Sequence, residues 1–280
     1  FAPRNRGRFG GGAFGGSAAV SYLCRQLYYG RKDMQTDPIT DNGRLLPAAL
    51  YLLPVTLTAD GRPQDVLPQP NFRVLLSLRH FIVENVRTAR RFLRRCSRQV
   101  DIDALTFYEL NGHTPPERVA DYLAPLRRGE AMGVLSEAGC PAVADPGADV
   151  VALAQAQGLT VVPMVGPSSI LMGLMASGLN GQSFAFSGYL PIDEAARLRQ
   201  LRVMQQRVVA DCQTQIFIET PYRNDAMLAW LLTRLPDDWR LCVATDITGP
   251  TQRITTLTVR AWRAHKSTIG KVPTIFLLYR

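Results

Sequence analysis
The stretch from Ala131 to Gln157 constrains this chain most. Ala131-Met132-Gly133-Val134-Leu135 is an apolar run too short for a helix, and turn residues bound it, so it reads as a buried strand. A loop follows in which Gly139, Pro141, Pro146 and Gly147 punctuate the chain, and Ala148 to Gln157 then reads as a helix. Strand, loop and helix in that order put the loop at the carboxyl end of a parallel strand, where open α/β sheets bind ligands. Taken alone, such a loop is more often a rigid connector, because Pro and Gly interrupt loops of every kind.

A second unit of the same kind follows at once. Val161-Val162-Pro163 runs into Met164-Val165-Gly166-Pro167, and Ser168 is placed to cap a helix from Ile170 to Ser177. Two such loops in succession share one sheet edge and offer backbone amides, small side chains and the hydroxyls of Ser168 and Ser169. Elsewhere the pattern predicts strands at Ala48–Leu53, Phe81–Val83, Phe184–Phe186, Gln215–Glu219, Leu241–Thr245, Ile254–Val259 and Thr274–Tyr279. Helices are expected over Pro116–Leu126, Glu194–Val209 and, after Arg223, to about Leu235. The fold class is α/β.

The chain has 280 residues, enough for one large domain or two smaller ones with proper cores. Its net charge of +9 invites a nucleic-acid reading, but six basic residues against Asp33 lie within residues 1–33. That segment is Gly- and Arg-rich, lacks apolar periodicity and precedes Met34, so residues 1–44 are expected to be a disordered or non-native extension. Gly10 to Gly15 matches G-x-G-x-x-G only formally, since no strand precedes it. Five cysteines, widely spaced and without C-x-x-C, suit a reduced cytoplasmic protein without a zinc site. No clustered histidines or acids suggest a metal, and the apolar run Ile170–Leu179 is too short to span a bilayer.

One charge run stands out from this background. On a helix through Val86–Arg98, Val86, Ala89, Phe92, Leu93 and Cys96 share one side, and Arg87, Arg90, Arg91, Arg94, Arg95 and Arg98 share the other. Most charge runs are solvated faces. Here no acid interrupts the arginines, and a planar guanidinium suits phosphate, so Arg87, Arg90, Arg91, Arg94 and Arg98 are candidate RNA contacts.

The loop residues resemble the tetrapyrrole methylase superfamily of S-adenosylmethionine-dependent methyltransferases, and within it the ribosomal RNA small subunit methyltransferase I branch. The family's S-D-A-G-T-P-x-x-x-D-P-G stands here as Ser136-Glu137-Ala138-Gly139-Cys140-Pro141-Ala142-Val143-Ala144-Asp145-Pro146-Gly147, and its P-x-P-G-P-(S/C) as Pro163-Met164-Val165-Gly166-Pro167-Ser168. The likeness runs from about Leu50 to the end. Gly188-Tyr189-Leu190-Pro191 resembles G-F-L-P at the domain junction, Glu219 to Arg223 resembles E-S/C-x-x-R, and Lys271-Val272-Pro273 precedes the closing strand. Two departures stand beside these matches. Val55-Thr56-Leu57-Thr58 replaces the Gly-Asn turn after the first strand, and E-D-T-R becomes Glu84-Asn85-Val86-Arg87.

The resemblance implies a mostly parallel α/β domain over residues 45–181, a second mixed α/β domain over 182–280, a cofactor cleft between them, and a homodimer. It implies S-adenosylmethionine as cofactor, with Pro54, Glu137, Ala138, Gly139, Cys140, Val143, Ser168, Ser169, Ile170, Leu190 and Pro273 as its candidate contacts. His113 stands where the ribosomal enzymes carry His/Asn-rich sequence. The implied acceptor is a ribose 2′-hydroxyl of small-subunit ribosomal RNA. Glu84 is considered as a proton acceptor beside the arginines, and no residue is assigned the catalytic role. Two alternatives stay open: methylation of a tetrapyrrole ring carbon, and an RNA-binding relic without catalysis.

Overall fold
Leu50-Tyr51-Leu52-Leu53 sets the architecture, because a strand apolar on both faces must be covered on both. In the computed structural model, which describes residues 46–280 apart from His113, Asp145, Lys266 and Ser267, these residues form β1 at the heart of a parallel sheet. The readings made for residues 1–44 and for His113 lie outside the described residues. With β2 (His80–Val83), β3 (Thr106–Glu109), β4 (Met132–Leu135) and β5 (Val161–Pro163), the sheet order is β3-β2-β4-β1-β5. Leu50 pairs with Met132 on one side and Val161 on the other.

Side chains alternate through this sheet as the pleat requires. Tyr51, Leu53, Phe81 and Val83 point to one core, which the helix Val86–Cys96 covers with Ala89, Phe92 and Leu93. Leu50, Ile82, Met132 and Val134 point to the other, closed by Val119, Leu123, Val150 and Ala154. Because every strand runs the same way, the loops leaving β1, β2, β4 and β5 gather at one edge.

A second sheet holds β6 (Phe184–Tyr189), β7 (Thr214–Glu219), β8 (Arg240–Thr245), β9 (Arg253–Thr258) and β10 (Thr274–Tyr279), in the order β6-β7-β10-β8-β9. Only β6 and β7 pair in parallel; the rest is antiparallel. One face stacks Phe217 on Phe276 beneath Leu201, Met204 and Leu231. The other face, Ile216, Cys242, Ile275 and Leu277, receives Leu174 and Ile170 from the helix Ser169–Ser177. Gly173 allows this close approach, since a Cβ there would stand 3.1 Å from Ile275 Cγ2. The helix that follows β5 thereby brings the edge loops of the first sheet against the second, and Leu45–Arg280 form one compact unit.

Three details differ from the sequence pattern. The helix expected over 116–126 breaks into Pro116–Tyr122 and Ala124–Arg127, because Pro125 has no N–H to continue the first segment. Helices Pro63–Val66 and Gln69–Ser77 fill a span given no element. The arginine helix stops at Cys96, where Ser97 N–H closes on Leu93 O with extended backbone, so Arg98 leaves the basic face.

Candidate functional site: a cavity between the two sheets
The loop after β4 is tied down before it meets anything else. Gly139 O accepts hydrogen bonds from Val55 N–H at 2.9 Å and from Ser136 Oγ at 3.0 Å. Gly139 itself has φ +75°, and a Cβ on it would press on Leu57 Cδ2 and Pro167 O. The Cys140 thiol reaches Pro167 O at 3.5 Å. Ala142 and Ala144 hold left-handed φ of 63° and 62° without being glycine, a strain that persists only where the surroundings enforce it.

The loop after β5 is fixed just as firmly. Asn71, almost fully buried, donates from Nδ2 to Val165 O at 2.8 Å. Gly166 lies against Pro54, so close that a Cβ would stand 2.6 Å from Pro54 Cγ. Ser168 caps the next helix, its Oγ accepting from Leu171 N–H.

Together these loops form one wall of a cavity of about 320 Å³, and the second sheet forms the other. Of the cofactor candidates, Ala138, Gly139, Cys140, Val143, Ser168, Ser169, Ile170 and Pro273 line it. Pro54 instead buttresses Gly166 from beneath. Glu137 faces away and accepts a hydrogen bond from Thr88 Oγ1. Leu190 lies in the core with Leu201 and Phe217, because the register shift in β6 and the left-handed Gly188 turn Tyr189 outward and the next side chain inward.

Sequence reasoning passed over the far wall, where Phe186, Tyr189, Ala244, Ile247 and Glu219 stand. Glu219 was visible only as part of the E-x-x-x-R likeness. Its side chain is 2% exposed; Oε1 accepts from Thr220 N–H at 2.7 Å, and Oε2 lies 3.0 Å from Arg223 Nη2. Oε2 is charge-paired but accepts no well-directed hydrogen bond, leaving a buried acceptor at the cavity wall. Asn224, fully buried, anchors the segment bearing Pro273 by donating to Gly270 O, Val272 O and Thr274 Oγ1.

The arginine face is exposed beside this site. Arg87, Arg90, Arg91 and Arg94 line a basic groove of about 550 Å³ together with Glu109. Arg90 lies 3.9 Å from Asp103 and over the Phe107 ring. Arg95 turns inward and donates to Ala59 O and, at 2.9 Å, to Gly61 O, so it clamps the loop after β1. Glu84, at the end of β2, has its carboxyl pKa raised by burial and then by the neighbouring Glu137 charge. Among the described residues, no cluster of His, Cys, Asp and Glu gathers as for a metal ion, and no helix is long and apolar enough to cross a membrane.

The fold has solved counterparts. The methyltransferase CobJ superposes with a TM-score of 0.54 at 17% identity, over 83% of this chain and 94% of that one. The cobalt precorrin-4 methyltransferase CbiF gives 0.52 at 15%, over 83% and 95%. The architecture is therefore that of the tetrapyrrole methylases. No protein-family model matches the chain.

Sequence relatives narrow this class. The ribosomal RNA small subunit methyltransferase I of Mesorhizobium japonicum is 33% identical over 153 residues, 55% of this chain and 51% of that protein. The Vibrio cholerae protein of the same name is 30% identical over 210 residues, 75% and 69% of the two chains. The chain belongs to the ribosomal RNA small subunit methyltransferase I family. The matched stretch spans about half of the Mesorhizobium protein and about two thirds of the Vibrio protein.

Proposed function
We propose that this protein is an S-adenosylmethionine-dependent methyltransferase whose acceptor is a ribose 2′-hydroxyl of small-subunit ribosomal RNA. The observation that carries this reading is the meeting of two successive loops, after β4 and after β5, with the second sheet around one cavity, in a chain that also bears an exposed arginine face. The cavity's size suits a small cofactor. Its donor set suits this one: hydroxyls of Ser168 and Ser169 for a carboxylate, the buried Glu219 for hydrogen-bond donors, and Val143, Ile170, Phe186 and Ile247 as apolar walls. S-adenosylmethionine supplies a methyl group on a sulfonium sulfur, and transfer exchanges that carbon–sulfur bond for a carbon–oxygen bond with loss of the hydroxyl proton.

What the chain supplies is position and field. The clamped carbonyl of Gly139 and the capped helix at Ser168 keep the cofactor side rigid, so little ordering remains at binding. Arg87, Arg91 and Arg94 attract the RNA backbone. The family likeness further supports a homodimer at work in the cytoplasm.

Calorimetric titration of S-adenosylmethionine and S-adenosylhomocysteine, with Gly139→Trp as the blocked cavity, tests the cofactor half. Micromolar binding lost in the variant supports it; no binding by a folded wild type overturns it and leaves an RNA-binding relic. Transfer of labelled methyl groups to small ribosomal subunits tests the acceptor half, and label found only on a tetrapyrrole refutes it.

A further inference from the structure
Two exposed tyrosines stand on the second sheet's side of the cavity. Tyr189, at the carboxyl end of β6, lines the cavity and is 59% exposed. Tyr222 follows Pro221, another lining residue, just beyond the carboxyl end of the parallel neighbour β7, and is 80% exposed. Lys271, two residues before the lining Pro273, holds its Nζ 5.2 Å from the centre of the Tyr222 ring. It is the one lysine among the described residues, a compact charge on a flexible stem where the rest of the surface carries arginine forks.

The backbone beneath this ring is fixed, although the ring itself is not packed. Arg223 N–H bonds Thr220 O at 2.9 Å, and the Arg223 guanidinium pairs with the buried Glu219. Asn224, fully buried, holds Gly270 O and Val272 O on either side of Lys271. Asp225 accepts from Ile269 N–H at 2.7 Å and from Gly270 N–H at 3.2 Å. Tyr222, by contrast, belongs to neither core of the second sheet, and its hydroxyl makes no hydrogen bond among the described residues. Lys271 forms no ion pair among them.

A ring mounted on a rigid turn and left in water loses little entropy when another ring stacks on it. A ribose 2′-hydroxyl reaches a donor held in a cavity only if its nucleotide is splayed out of the RNA stack, and its base then needs another aromatic face. One ring beside one mobile ammonium matches one base and one phosphate. We propose that the base of the acceptor nucleotide stacks on Tyr222, with Lys271 swinging from the ring to the adjoining phosphate. The proposal rests on the methyl-transfer reading above, and it puts the base at the rim of the same cavity that receives the methyl donor.

The test titrates the full chain with a short single-stranded oligoribonucleotide bearing 2-aminopurine. Affinity is read by anisotropy, and stacking by quenching of that base. Wild type and Tyr222→Phe should both quench it. Tyr222→Ala should bind about 5- to 100-fold more weakly, the range for one lost base–aromatic stack, with the quenching gone. Lys271→Ala should lower the slope of log affinity against log salt by about one phosphate's share. Phe184→Ala, which removes an exposed ring at the opposite end of β6, should change neither readout. S-adenosylmethionine affinity should hold in Tyr222→Ala, because that ring does not line the cavity. Full affinity and quenching in Tyr222→Ala, or a loss in Tyr222→Phe as large as in Tyr222→Ala, overturns the proposal. So does a loss that light scattering traces to a changed oligomeric state. A wild type that quenches in this ring-dependent way but does not bind S-adenosylmethionine refutes the transfer reading alone and leaves the platform standing. One that methylates small ribosomal subunits equally well with Tyr222→Ala does the reverse.

Discussion
Gly166→Ala is the sharpest probe of how the cofactor wall is built. The added Cβ would stand 2.6 Å from Pro54 Cγ, closer still to Pro54 Cβ, and 3.4 Å from Leu67 Cδ2. Carbon atoms settle at about 3.5–4.0 Å, so the two loops must part by roughly 1 Å. Pro54 has little freedom to yield: it is a buried ring at the end of the central strand, not the tip of a flexible chain. The displacement therefore falls on Val165–Ser168, which also loses alignment with Asn71. Overpacking of this kind costs about 1–3 kcal/mol, whereas an uncrowded Gly→Ala is neutral or stabilises by about 0.4–1 kcal/mol. The midpoint of thermal unfolding should fall by about 2–4 °C for each kcal/mol. S-adenosylmethionine affinity should drop about 2- to 10-fold, as for one hydrogen bond misaligned at Ser168 or Ser169. Gly181→Ala, with nothing within 4 Å, is the matched control: it should leave the affinity unchanged and the melting midpoint unchanged or slightly raised. If Gly166→Ala melts at or above the wild type, the contact between the two loops is not what fixes the wall.

Arg95→Ala should destabilise by about 1–3 kcal/mol in urea unfolding, because two backbone carbonyls lose a charged donor, while Arg94→Ala changes stability by less than about 0.5 kcal/mol. Glu84→Gln should alter the pH profile. Its carboxyl pKa is raised above the ordinary 4.5 by burial and by Glu137, so the folded state holds the proton longer than the unfolded one. The stability tied to that proton is full below the unfolded value and is lost as pH rises through the folded one. The melting temperature of Glu84→Gln should thus gain on the wild type between pH 4 and pH 7, and a constant difference would contradict the cause. Asn224→Ala removes the donor shared by Gly270 O, Val272 O and Thr274 Oγ1; amide exchange across residues 269–273 should quicken, with about 1–3 kcal/mol lost.

The strands and the two loops were legible because they obey local rules: apolar runs bounded by Pro and Gly, and a serine three residues before the amide it caps. The fate of Leu190 was not, since it depends on a register shift between β6 and β7 that only the pairing reveals. Arg98 belonged to the basic stripe by angle, but nothing in the apolar period announced that Ser97 would end the helix. Arg95 shares a charge with its neighbours and differs only in what lies opposite, the carbonyls of a loop 34 and 36 positions earlier. Glu219 became a cavity residue through the second sheet's position, which no window of sequence contains.

The central place of β1 has a consequence for the chain's synthesis. It is the earliest strand of its sheet, yet Leu50 must wait for Met132 on one side and Val161 on the other. Until both have emerged, Leu50-Tyr51-Leu52-Leu53 presents an apolar ribbon with open backbone groups, the kind of edge that templates aggregation. A chain halted between Leu135 and Val161 can pair one edge of that ribbon with β4 but leaves the other open. The sheet's central strand is thus the one whose two edges are closed last, only once β5 has been made.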